Sequence, residues 1–177
     1  MTKWIVLLRG INVSGHKLIK MALLREILEQ HGFKSVKTYI QSGNIVFESE
    51  ESNENRTAGH IESILLKEFG YEVPTMAIEH SSYAEVIERN PFKEHTFGEH
   101  ERLYVSFLKE APSGEAKAEL QAFSNEDERF VVGKQEVYVL CNKLAKKLNY
   151  SNTFIEKKLK TRATTRNWNT VNKIYQL

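Results

Sequence analysis

Trp4-Ile5-Val6-Leu7-Leu8 is an unbroken apolar run of strand length, ending at Arg9-Gly10, and reads as a buried strand. Leu23, Leu24, Ile27 and Leu28 then recur at helical spacing between Met21 and His31, and Gly32 supplies a C-terminal stop. Val36 to Ile40 alternates as a strand. Ser42-Gly43-Asn44 is a turn signal, and Ile45-Val46-Phe47 reads as the returning strand of a hairpin. The polar stretch Glu48 to Asn55 reads as a surface loop. A helix is expected from His60 to Phe69, with Ile61, Ile64, Leu65 and Phe69 on one stripe, and a strand from Val73 to Ile78.

The order up to about residue 79 is therefore β-α-β-β-α-β, the ferredoxin-like arrangement. A second set follows a helix at Ser82 to Glu88 and a break at Asn90-Pro91. It has an alternating strand at Leu103 to Leu108, a helix at Glu115 to Phe123, and a hairpin of Phe130 to Val132 with Glu136 to Leu140. A helix at Thr153 to Leu159 carries a Thr153/Glu156 capping box. The last helix, Trp168 to Tyr175, turns Trp168, Val171, Ile174 and Tyr175 inward. This second set reads β-α-β-β-α, an architectural echo of the first without a residue-level repeat. The expected fold class is α/β (α+β), with two packed ferredoxin-like halves and mainly antiparallel sheets. The first half is placed at residues 1–80. The second, with the C-terminal helices, is placed at 81–177, the two making one compact unit.

Composition narrows the class without naming a function. Of 177 residues, 41% are hydrophobic and 27% charged, which is ordinary for a globular chain. No apolar run approaches the roughly 20 residues of a membrane span, and no signal-peptide pattern precedes the first strand. A single cysteine, Cys141, excludes an internal disulfide framework, so a cytoplasmic, reducing location is expected. The net charge of +2 hides an asymmetry. Residues 134–177 carry 10 Lys/Arg against 2 acids, and the rest carry 15 against 21. A basic C-terminal third suits a polyanion or a phosphate, and it also suits a solvated helical surface.

Three polar blocks could carry chemistry. Arg9 to Lys17 leaves a buried strand and precedes a helix. Gly15 and its neighbours allow a ligand to approach the backbone, and Arg9, His16 and Lys17 add charge. It is neither a Walker loop nor a dinucleotide fingerprint, and Arg9 and Asn12 could equally fix the loop by pairing with backbone groups. Gln41, Ser42 and Asn44 form the second block. A hairpin turn accounts for Ser42, Gly43 and Asn44, whereas an amide at Gln41 needs partners if buried. In the third block Thr164 or Thr165 caps the last helix and Trp168 anchors it. Arg166, Asn167 and Asn169 around that tryptophan offer anion-binding chemistry, and the indole offers a platform for a base. The six histidines show no metal-ligand spacing, so no metal is expected; Cys141 reads as a small buried residue.

Leu8-Arg9-Gly10-Ile11-Asn12-Val13, Met21 with Leu24, Tyr39-Ile40-Gln41-Ser42-Gly43-Asn44 and Thr164-Thr165-Arg166-Asn167-Trp168-Asn169-Thr170 resemble the signature blocks of a mainly bacterial family. It is known as the domain of unknown function numbered sixteen-ninety-seven. The resemblance implies an α/β fold of two ferredoxin-like halves and no established activity, substrate or cofactor. Ser14-Gly15 stands where the family usually has Gly-Gly. Cys141 to Lys146 lacks the glycine and serine of a Gly-x-x-x-Ser-Lys-like segment common there, so the resemblance implies no phosphate-type role for that segment.

The leading expectation is binding of a nucleotide, nucleic acid or other phosphorylated ligand. The ligand-binding set would be Arg9, Asn12, Gly15, Lys17, Gln41, Ser42, Asn44, Thr165, Arg166, Asn167, Trp168 and Asn169. One alternative is an enzyme acting on a small anionic metabolite, with Arg9, Asn12, Gln41, Arg166 and Asn169 converging on one cleft. The other is a buried polar network tying the halves together. The sequence names no cofactor, implies no membrane partner and does not define an oligomeric state.

Overall fold

The computed structural model describes residues 1–177. The chain divides into two compact units, one of Met1–Glu85 with Asn172–Leu177 and one of Val86–Val171.

The first unit is built from β1 (Thr2–Leu8), α1 (Met21–Gln30), β2 (Lys34–Tyr39), β3 (Asn44–Ser49), α2 (Glu54–Phe69) and β4 (Thr75–Glu79), and α3 (His80–Glu88) follows directly. Its sheet has the order β2-β3-β1-β4 with every pairing antiparallel. Trp4, Val6, Leu8, Ile45, Phe47 and Ala77 form one core with Leu24 and Leu28 of α1 and Ile61, Ile64 and Leu65 of α2. Ile5 and Leu7 alternate onto the other face and are equally buried, which is why β1 reads as a continuous apolar run.

Two expectations change here. Leu23 lies off the buried stripe of α1 at 44% exposure; Met21, Leu24, Ile27 and Leu28 make that stripe. α2 begins at Glu54 rather than His60, because the Asn53 side chain accepts the Arg56 N–H at 3.0 Å and caps a longer helix.

The second unit repeats the order. β5 (Glu101–Leu108), α4 (Gly114–Gln121), β6 (Glu128–Val132), β7 (Glu136–Asn142), α5 (Asn152–Leu159) and β8 (Ala163–Asn167) are followed by α6 (Trp168–Tyr175). The sheet order β6-β7-β5-β8 matches the first sheet strand for strand, again all antiparallel. Each set is thus a full βαββαβ with one further helix after its last strand. Its core joins Leu108, Phe130, Val137, Val139 and Ala163 of the sheet to Leu120 of α4 and Ile155 and Leu159 of α5.

β8 is the strand the pattern does not announce. Thr164 and Thr165 lie inside it, in register with Phe107 and Ser106, so neither caps α6. The cap is Asn167, whose Oδ1 accepts the Thr170 N–H at 2.8 Å. At α5 the cap is Ser151, whose Oγ accepts the Phe154 N–H at 3.0 Å; Glu156 instead accepts the Ala163 N–H at 3.0 Å. The expected Thr153/Glu156 box is therefore not formed. On α6, Val171 and Ile174 are buried, while Trp168 is half-buried and Tyr175 is exposed. The Tyr175 ring stacks on His80, with centroids 4.7 Å apart.

Candidate functional site

The first polar block is a closed miniature hairpin. Val13 and His16 form an isolated antiparallel bridge, with the His16 N–H donating to the Val13 carbonyl at 2.9 Å. Ser14 (φ +51°) and Gly15 (φ +77°) occupy the turn between them, the two positive φ values of a type I′ turn. The Asn12 N–H donates to the Lys17 carbonyl at 3.1 Å and closes the base of the hairpin.

Asn12 itself has φ +53°, a left-handed conformation that asparagine tolerates better than most residues. Its side chain is fully engaged with backbone. Oδ1 accepts the Ile19 N–H at 2.8 Å, and Nδ2 donates to the carbonyls of Ile19 at 3.0 Å and Gln41 at 2.8 Å. Lys17 donates from Nζ to the Glu72 carbonyl. The Arg9 N–H donates to the Pro74 carbonyl at 3.0 Å, and the Arg9 side chain is half-buried.

The second block closes against the first. The Leu8 N–H donates to the Gly43 carbonyl at 2.8 Å. Gly43 has φ +81°, and a Cβ built there would lie 2.6 Å from Leu8 Cβ and 2.8 Å from Ile11 Cδ1. Buried Asn44 donates from Nδ2 to the Tyr39 carbonyl and the Ser42 Oγ, both at 2.9 Å. Gln41 is exposed, so its amide faces water and needs no buried partner. Within this unit the fold brings Arg9, Asn12, Lys17, Gln41, Ser42 and Asn44 into one set of interlocked loops, with Gly15 at an exposed tip.

The third block is divided between β8 and α6 in the second unit's numbering range. Thr165 Oγ1 donates to Asn152 Oδ1 at 2.6 Å and lies 2.7 Å from the Oγ of buried Ser106. With its one proton committed to Asn152, Thr165 accepts from Ser106, giving a Ser106–Thr165–Asn152 chain. Arg166 Nη1 donates to the Thr165 carbonyl at 2.9 Å. Asn167 caps α6, Trp168 opens that helix half-buried, and Asn169 is exposed.

Beside Thr165 stands a group the sequence pattern does not single out. The rings of Tyr104 and Tyr150 are 5.3 Å apart, and Lys143 Nζ lies 4.9 Å over the Tyr104 ring. Burial pushes the Tyr150 phenol up to about 12. Hydrogen bonding to Tyr104 raises the Lys143 ammonium above its ordinary value and so holds its charge. Lys143, Lys146 and Lys147 are all exposed on the loop between β7 and α5. Cys141 is fully buried at the start of this region, and burial pushes its thiol up, away from a reactive thiolate.

A family described as protein of unknown function (DUF1697) matches residues 1–138. The chain belongs to the DUF1697 family. That match takes in the first two polar blocks and ends before the third. The conserved bacterial protein SP0830 from Streptococcus pneumoniae has a similar solved structure, at 24% identity, a TM-score of 0.77, and coverage of 99% of this chain and 97% of that one. At that identity the likeness speaks for the fold. No curated protein matches the chain in sequence.

The fold of this DUF1697 member also explains what sequence reasoning missed. Tyr104 and Ser106 alternate with Leu103, Val105 and Phe107 on β5, which suggests one wet face, yet Ser106 is as buried as Val105. A polar residue on a doubly covered strand needs a partner, and β8 supplies it as Thr165. A polar cleft of about 260 Å³ lies between the start of α4 and the end of α5, lined by residues such as Glu110, Ser113, Glu119, Lys158 and Lys160, and takes in none of the twelve expected site residues. No three His, Cys, Asp or Glu side chains converge as a metal-binding group, and no helix is long and apolar enough to cross a membrane.

Proposed function

We propose that this protein binds a phosphorylated ligand, nucleic acid or nucleotide, through the lysine-rich loop that joins β7 to α5. The observation that carries the reading is the exposure of Lys143, Lys146 and Lys147 within five residues of an otherwise well-anchored loop. This loop runs directly into the N-terminus of α5, where the macrodipole favours negative charge. Lys143 is steadied over Tyr104 rather than neutralised by a carboxylate. The lysines act as point charges, since the loop has no glycine-lined cradle.

The reading is narrower than an RNA-recognition surface. Base stacking on a ferredoxin-like sheet needs an open face, and here Leu103, Val105, Phe107, Ser106 and Leu108 of β5 are at most 4% exposed, as are Trp4 to Leu8 of β1. Contact is therefore assigned to loops. For Asn12, Asn44, Thr165 and Asn167 the hydrogen bonds favour a structural role, because their side chains already fix loops, a strand or a helix end.

The test is a titration of fluorescent single- and double-stranded DNA and RNA across a salt series, with ATP and inorganic phosphate followed by thermal shift. Three phosphate contacts predict a log–log salt slope of about −2 to −3 for a polymer. A K143A/K146A/K147A variant should flatten it. A thermal shift with ATP or phosphate alone, lost in that variant, assigns a small ligand. Consumption of ATP would move the reading to an enzyme. No response to any probe at low salt, or one unchanged in the triple variant, overturns it.

A further inference from the structure

Glu128 stands on β6 two residues before Phe130, on the inward face, and is 1% exposed. Three N–H donors converge on its carboxylate. The Asn149 N–H reaches Oε1 and Oε2 at 3.0 Å each, Asn149 Nδ2 reaches Oε1 at 2.7 Å, and the Tyr150 N–H reaches Oε2 at 3.1 Å. All three are neutral amides, and all belong to the last residues of the lysine-rich loop.

The loop's other end is fixed differently. Asn142 donates its N–H to the Asp127 carbonyl at 2.8 Å, accepts the Leu144 N–H on Oδ1 at 3.0 Å, and the Lys143 N–H donates to the His100 carbonyl at 2.8 Å. Between these anchors residues 143–150 have no helix or strand of their own. The order of the lysines therefore depends on side-chain and loop hydrogen bonds at the two ends. A carboxylate is suited to the C-terminal one, because both its oxygens only accept. A glutamine there would turn an NH₂ toward at least one of the same donors.

We infer that Glu128 is the positioning residue of the phosphate-binding loop, holding Asn149 and Tyr150 so that Lys143, Lys146 and Lys147 meet a ligand already ordered. This rests on the reading of the loop as the binding surface. It adds that the affinity is set by a buried acid that never touches the ligand. A negative charge beneath a basic loop weakens anion binding by Coulomb repulsion, so its presence is explained by pre-organisation rather than by charge.

The test is the Glu128→Gln variant of the full chain, read by hydrogen exchange and by oligonucleotide binding. Exchange at residues 143–150 should accelerate by about tenfold or more, with the β5 and β7 amides still protected. Affinity for a single-stranded DNA probe should fall by about tenfold, with the salt slope unchanged, since every lysine remains. Leu120→Ala, which opens a cavity in the same core, serves as control. It should destabilise the unit and leave both loop exchange and affinity near wild type. Unaltered loop exchange in Glu128→Gln overturns the inference whether or not the wild type binds DNA. Equal loss of affinity in both variants also overturns it. Failure of the wild type to bind any probe, with faster loop exchange in Glu128→Gln, removes the binding role and leaves Glu128 as a loop anchor only.

Discussion

Asn12 Nδ2 donates to the Gln41 carbonyl at 2.8 Å, joining the loop after β1 to a turn 29 residues further along the chain. The same amide group is bonded to both the N–H and the carbonyl of Ile19. Asn12→Ala leaves these backbone groups without their partner, at a cost of about 1–3 kcal/mol. It also places a residue less tolerant of φ +53° at that position. We expect a lower denaturant midpoint at unchanged m-value. A midpoint within error of wild type would show that water replaces the amide without cost.

Gly43 is the tightest point between the two loops. A methyl group there meets Leu8 Cβ at 2.6 Å in a backbone with φ +81°. Both neighbours are buried, so neither can swing aside. Gly43→Ala should cost about 2–4 kcal/mol from overpacking and strain together. At Gly15, which also has positive φ but open space around it, Ala should cost only about 1 kcal/mol. Calorimetry of the two variants side by side checks the ranking, and equal melting temperatures would refute it.

Thr165→Val keeps the β-branched shape that suits β8 and removes only the hydroxyl. The fully buried Ser106 then loses its acceptor, and Asn152 loses its donor. We expect a loss of about 1–3 kcal/mol. In the double-mutant cycle with Ser106→Ala, the second substitution should cost less than the first, since the unpaired hydroxyl is gone. Strict additivity would mean that the two groups do not depend on each other.

Glu101 gives the clearest pH dependence. Its carboxylate accepts the Gly98 N–H at 2.8 Å and faces His95 Nε2 at 2.9 Å. The backbone hydrogen bond from Gly98, then the one from His95, lowers it below its ordinary 4.5. A lowered folded value means the contribution is complete above the ordinary value and is lost as pH falls through the folded one. His95→Ala should raise the Glu101 midpoint only part-way, because the Gly98 N–H remains. Carboxyl NMR titration of both proteins reads this directly. An unmoved midpoint would remove His95 from the cause.

The strands and helices that bury an apolar stripe were legible in the pattern of residues. Trp4 to Leu8 as a continuous apolar run, the helical stripe of Ile61, Ile64 and Leu65, and the apolar strands of the β6–β7 hairpin each carry their own signal, and burial of those apolar residues is what stabilises them. The βαββαβ order of the first set followed from its own apolar elements, and the family resemblance from its loop blocks. Polar elements were not legible in the same way. β8 has no apolar stripe, and Ala163-Thr164-Thr165-Arg166-Asn167 becomes a strand because β5 offers an unpaired edge with Ser106 in register with Thr165. Asn167 rather than a threonine caps α6 for the same reason. Sequence alone left Asn12 between loop anchor and ligand contact, Thr165 between helix cap and ligand contact, and Gln41 as an amide needing partners if buried. Only the tertiary structure decided that Asn12 and Thr165 are bonded inside the fold and Gln41 is wet, because a hydrogen-bond partner tens of residues away has no signature in local spacing. Glu128 is the sharpest case. On the chain it is one acid in the acidic run Glu126-Asp127-Glu128, and its hydrogen-bond partners, two backbone amides and the Asn149 side chain, reach it only through the loop that returns after β7.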